Sequence, residues 1–158
     1  MKNKATYNRE VRTLLAKTIH LAQVYAEACD ILDRVKICAL LNESASENLD
    51  MAAQLSQLLH PELPQGRLGT AQQLQLQKRP IIFSGVDYDL TCKEMVDKIR
   101  KLQDELVASY ESLRKNTADV RHEQLFTDHC RVYKKRKDKL DFYMGQEVFY
   151  VGPMSAMD

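Results

Sequence analysis

Apolar and small residues recur along the first part of the chain at Val11, Leu14, Thr18, Leu21, Tyr25, Ala28, Leu32, Val35 and Ala39. The steps alternate between three and four residues, the spacing that keeps side chains on one face of an α-helix. Leu15, Ala22, Ile31 and Cys38 widen the stripe on one side. A wide stripe suits a helix in a bundle better than one strand of a two-stranded zipper. The periodicity predicts one helix over residues 8–42, about 50 Å long at the rise of an α-helix.

Asn42-Glu43-Ser44-Ala45-Ser46 then reads as a break, with Ser44 and Glu47 spaced as a capping box. A second helix is predicted over 45–60, with Leu49, Ser56 and Leu59 on one face. It ends at His60-Pro61, because a proline disfavours helix at the residue before it. Residues 61–88 form an irregular insertion punctuated by Pro61, Pro64, Gly66, Gly69, Pro80 and Gly85. Within it, 70–78 suits a short helical turn or an alternating strand, and Ile81-Ile82-Phe83 is a β-type run. The insertion is too long for a plain connector in a tight bundle, so it is a packed excursion or an arm.

A third seam passes through Cys92, Met95, Ile99, Leu102, Leu106 and Leu113 and resumes at Val120, Leu125, His129, Val132, Arg136, Leu140 and Tyr143. No glycine or proline marks a turn near 115–119. One continuous, bent helix over 90–144 is therefore expected in preference to a hairpin there. Gly145 is the expected terminator. The tail 146–158 then carries Val148-Phe149-Tyr150-Val151 as a short strand or an apolar hook. The fold class expected is all-α: a single elongated helical bundle, coiled-coil-like, with long helices.

Composition narrows the function classes. The chain has 158 residues, 44% hydrophobic and 28% charged, with 23 basic and 22 acidic side chains and a net charge of +1. A polybasic binding protein, an acidic tail and a membrane span are disfavoured, and no secretory h-region follows Met1-Lys2-Asn3-Lys4. A cytoplasmic protein is expected. Cys29, Cys38, Cys92 and Cys130 form no Cys-x-x-Cys pair. Reduced, partly buried thiols are the expected state.

Candidate chemistry is sparse. Residues 131–140 carry six cations and one acid, with Arg131, Lys134, Lys135, Arg136, Lys137 and Lys139 as candidate phosphate contacts to nucleic acid. A solvated, neutralised face is the favoured reading of that run. His122 and His129 share a helix face but stand about 10 Å apart along the axis, too far for one ion without help. A di-iron bundle needs Glu-x-x-His pairs, and the chain has none. Neither a nucleophile elbow nor a phosphate loop is present. No catalytic residue, metal or cofactor is expected, and the protein is not expected to be an enzyme.

The leading expectation is a structural or adaptor protein that acts by helix-mediated protein–protein interaction or self-assembly. Its interface seam is Leu14, Leu21, Tyr25, Leu32, Val35, Ile99, Leu102, Leu106 and Leu113, and its partner anchors are the aromatic residues Phe142, Tyr143, Phe149 and Tyr150. The alternatives are a nucleic-acid-associated protein using 131–139 and a metal-binding helical bundle.

Overall fold

The computed structural model describes residues 3–64, 66–78 and 92–157, with side chains described as far as Gln146. Among the described residues every regular element is a helix. These are α1 (Lys4–Ile31), α2 (Val35–Leu59), α3 (Thr70–Gln77), α4 (Cys92–Asn116) and α5 (Val120–Met157). The expected all-α bundle is the fold the chain adopts. Ile81-Ile82-Phe83 lies outside the described residues.

The helix expected over 8–42 is two helices. Leu32 and Arg34 take extended backbone, with ψ of 135° and 102°. No glycine or proline makes this turn, and the heptad stripe runs straight through it. Packing supplies the reason. Leu14, Leu15, Ile19, Leu21, Val24 and Tyr25 are all buried on α1, more apolar surface than one neighbour can cover. Reversing the chain lays α2 along α1. It gives up a few helical hydrogen bonds of about 1 kcal/mol net each, against about 1.5–3 kcal/mol for each large apolar side chain buried. Val35 is left 84% exposed at the start of α2, and Leu32 is half-buried.

The break expected at 42–46 does not occur, and α2 passes straight through it. Its small and polar residues are used between helices instead. Ser44 and Asn48 are buried, and Asn48 Nδ2 donates to the Thr18 carbonyl at 2.9 Å. Ala52, Ala53 and Ser56 continue this narrow face, which suits close approach to α1. α2 ends where Pro61 requires, with His60 as its C-terminal cap.

The helix expected over 90–144 is a hairpin, α4 and α5, turned at Thr117–Asp119. The turn is made by capping. The Asp119 carboxylate accepts the backbone N–H groups of Arg121 at 2.8 Å and His122 at 3.4 Å, satisfying donors that a helix start leaves open. Those hydrogen bonds, above all the one from Arg121, hold the Asp119 carboxyl below the usual carboxylate range. The Tyr7 hydroxyl reaches across from α1 to His122 Nδ1 at 2.8 Å and Thr117 Oγ1 at 3.3 Å. Gly145 does not end α5, whose backbone stays helical to Met157. One glycine costs a helix about 1 kcal/mol and does not terminate it. The backbone at 148–151 is therefore helix and not strand.

Long-range contacts give the topology. Tyr25 of α1 meets Gln103 of α4, while Tyr7 meets Thr117, so α1 and α4 are antiparallel. Gln54 pairs with His129 and Glu47 with Arg136, so α2 and α5 are antiparallel as well. The four long helices form a square in which α1 touches α2 and α4, and α5 touches α4 and α2. Linking α2 to α4 in this arrangement requires the chain to cross back along the bundle. Part of that crossover is α3, which lies on α1. Gln23 Nε2 donates to the carbonyls of Gln75 and Lys78, and Gln75 Nε2 donates to that of Ala16. The insertion is thus packed between 70 and 78. Gly66, at φ +82°, takes a left-handed turn before it, where a side chain is disfavoured.

Candidate functional site

The centre of the bundle is polar. Arg136 projects inward from α5 and is 3% exposed. Its Nη1 donates to Asn48 Oδ1 at 2.5 Å and to the Tyr25 hydroxyl at 3.3 Å, and its Nη2 donates to Glu47 Oε1 at 2.6 Å. The guanidinium also lies over two rings, 5.4 Å from the centroid of Tyr25 and 5.1 Å from that of Tyr133. Tyr25 passes the network on by donating to Gln103 Oε1 at 2.6 Å. One cation therefore ties all four long helices together. Burial alone would weaken its charge, yet the oxygens of Tyr25, Glu47 and Tyr133 outweigh that and raise its pKa.

About two helical turns towards the α4–α5 turn, His129 forms a second polar station. Its Nε2 lies 2.7 Å from Gln54 Oε1, an acceptor, so Nε2 carries the ring proton. Nδ1 then accepts the Tyr110 hydroxyl at 2.7 Å. Burial lowers the His129 pKa to about 4, with Arg136 adding repulsion. The ring is neutral at pH 7 and both nitrogens are engaged. Burial likewise raises the Tyr25, Tyr110 and Tyr133 hydroxyls, so none of them supplies an oxyanion near neutrality. This layer is built to hold helices in register. It presents no activated nucleophile or base.

The same mid-bundle region is where carboxylate-rich bundles hold metal ions between facing helices. Here a guanidinium occupies it, and a fixed positive charge repels a metal ion. Among the described residues no group of three His, Cys, Asp or Glu side chains is placed to hold one. His122 and His129, which share a face by spacing, are committed to Tyr7 and to Tyr110 with Gln54.

The six residues of the basic run divide. Arg131, Lys134, Lys135, Lys137 and Lys139 are exposed, whereas Arg136 is in the core. Arg131 lies 3.6 Å from Asp128 and Lys134 lies 3.7 Å from Glu111 on α4. Lys135 and Lys139 face Glu43 and Glu47 across a shallow cleft of about 220 Å³ between α2 and α5. The cations are thus interleaved with acids.

The seam residues are placed with equal clarity. Leu14, Leu21, Tyr25, Ile99, Leu106 and Leu113 are buried inside the molecule, and Leu102 packs half-buried against the same core. Among the described residues Leu74 on α3 and Val120 at the start of α5 are exposed apolar side chains, and three more lie towards the end where α1 turns into α2. Ile31 is 44% exposed there and Val35 is 84% exposed. Phe142, 61% exposed, stands on α5 near the same end, since the cleft pairs Leu40 of α2 with Lys139 of α5. Its ring contacts Tyr143, with 5.8 Å between centroids. Phe149 and Tyr150 lie outside the described side chains.

No family model, curated protein or solved structure matches this chain. By spacing His129 and Arg136 fall in the seam of the last helix, but Arg136 also counts among the phosphate-contact candidates by charge, so the buried polar layer is not anticipated from sequence. Arg136 falls in the apolar register, four residues after Val132 and four before Leu140. A lone cation in a seam position is a buried-residue signal, and the surrounding lysines masked it.

Proposed function

We propose that the protein is a structural or adaptor component that docks through the α1–α2 turn end of its bundle. The observation carrying this reading is the exposure of three large apolar side chains, Ile31, Val35 and Phe142, towards one end, against Val120 alone at the other, while most of the predicted seam is buried within the molecule. Large apolar side chains at the surface gain free energy when a partner covers them, about 25 cal/mol per Å² removed from water. The central polar groups are engaged largely with one another across the helices, an arrangement that suits holding the bundle in register for binding. No helix among the described residues is long and apolar enough to cross a membrane.

Light scattering behind size-exclusion chromatography tests the self-assembly form of this reading. The wild type is expected to run above monomer mass, and the triple variant Ile31→Ser, Val35→Ser, Phe142→Ser as a monomer. Capture from the native host tests the adaptor form, with the triple variant as the control. The reading fails if the wild type is monomeric at every concentration and every retained protein is equally retained by the variant. Nucleic-acid binding through the exposed cations is the weaker reading. The acids between those cations oppose a continuous phosphate track.

A further inference from the structure

Two thiols face each other across the α1–α2 turn. Cys29 lies in the last turn of α1 and Cys38 in the first turn of α2. Cys29 Sγ is 3.4 Å from the Cys38 carbonyl oxygen, and Cys38 Sγ is 3.5 Å from the Cys29 carbonyl oxygen. Cys38 Sγ also approaches the Leu32 carbonyl at 3.0 Å. Each sulfur thus lies against the other residue's backbone, which sets the two side chains next to each other across the turn. A disulfide requires backbones close enough for the sulfurs to meet, and contacts of 3.4 and 3.5 Å from each sulfur to the other residue's carbonyl oxygen bring the two residues near each other. Cys29, Cys38 and Cys92 are half-buried and Cys130 is buried, and Cys92 packs near Met144, so Cys29 and Cys38 are the two thiols that stand side by side at a half-buried position. Small oxidants therefore reach the pair from solvent.

We propose that Cys29 and Cys38 are an oxidisable pair that closes an intramolecular disulfide across the α1–α2 turn, with a low-molecular-weight disulfide as the oxidant. The exchange runs in two steps. The Cys38 thiolate attacks one sulfur of glutathione disulfide, breaking its S–S bond and releasing one glutathione thiolate. The Cys29 thiolate then attacks the Cys38 sulfur of the mixed disulfide and displaces the second glutathione thiolate. The two protons lost by the protein end on the two glutathione thiols. The protein is oxidised by two electrons and the oxidant is reduced by two. Burial and the neighbouring Cys38 push the Cys29 thiol up, which lowers its thiolate fraction, so its attack in the second step relies on being held beside Cys38. The bond would pin the turn that carries Ile31 and Val35, but the pairing itself does not depend on the docking reading.

Folded, full-length protein incubated with glutathione disulfide and analysed by intact and peptide mass spectrometry decides the matter. The expected product has lost two hydrogens, contains a peptide linking Cys29 to Cys38, and reverts with excess reduced glutathione. It forms roughly tenfold faster than in the urea-unfolded chain, where nothing holds the thiols together. Cys29→Ser is expected to trap one glutathione on Cys38. Two glutathione adducts on the wild-type pair, links to Cys92 or Cys130 instead, or no modification would each overturn the proposal. Far-ultraviolet circular dichroism of Cys29→Ser, expected to match wild type, shows that the comparison is made on folded protein.

Discussion

The middle of the bundle and its α1–α2 turn end invert the usual distribution of side chains. The middle buries a guanidinium, an imidazole and several amides and hydroxyls, where leucines would fit a simpler core. The turn end leaves an isoleucine, a valine and a phenylalanine in water. The contrast separates two uses of a side chain. A buried polar group contributes little net stability but is costly to leave unpaired, so it selects one arrangement of helices over the alternatives. An exposed apolar group contributes nothing to the isolated fold and acquires value only when covered. Arg136 Nε and Gln103 Nε2 even lack hydrogen-bond partners among the described residues, a local cost that argues against stability as the reason for the polar layer.

The largest effect is expected at Arg136. Arg136→Met removes the donor shared by Tyr25, Asn48 and Glu47, and is expected to lower unfolding stability by about 3 kcal/mol in urea titrations. Arg136→Lys should recover less than half of that, because an ammonium cannot fork between separate acceptors. A methionine variant as stable as wild type would mean that the polar middle is tolerated and not required.

His129 gives an effect of similar size under milder intervention. Its folded pKa of about 4 lies below the ordinary value of 6.5, so the unfolded chain takes up a proton first as pH falls. The stability it contributes is fully present above pH 6.5 and is lost progressively down to about pH 4. The whole window is worth about 3 kcal/mol. Urea midpoints measured across that range should fall with pH, and His129→Gln should flatten the slope.

Asp119→Ala tests the turn at the opposite end, which is made by capping and not by apolar contact. A drop of a few degrees in melting temperature is expected, with the fold retained. The smallest change in stability is expected at the exposed residues. Val35→Ser and Phe142→Ser should each move unfolding by less than about 0.5 kcal/mol, while abolishing higher-order mass or partner capture. Substantial destabilisation there would place those side chains in the fold, and the contrast with the middle would collapse.

Helix content was legible because period and burial agree: Leu14, Leu21, Ile99, Leu106 and Leu113 fall on the predicted stripe and are all buried. The turns were not. Leu32–Arg34 interrupts an unbroken heptad without a breaker residue, because the chain reverses for a packing gain that no local pattern records. The serines and asparagines near 42–48 look like a boundary because their side chains suit caps, yet Ser44 and Asn48 are buried inside α2. Asp119 was a readable cap that the missing glycine and proline made easy to overlook. Arg136 was grouped with its lysine neighbours by charge, though its register placed it with the core.

By itself, then, the sequence determined that the chain would be helical and which faces of its helices would be apolar. Those properties follow from spacing, and spacing is local. Pro61 set the end of α2 locally, whereas tertiary structure decided where α1 and α4 stop, which cation goes inside and which apolar residues remain outside. Each of those depends on the free energy of one helix against another, and that is settled by residues far apart in the chain, as Tyr25 and Arg136 are.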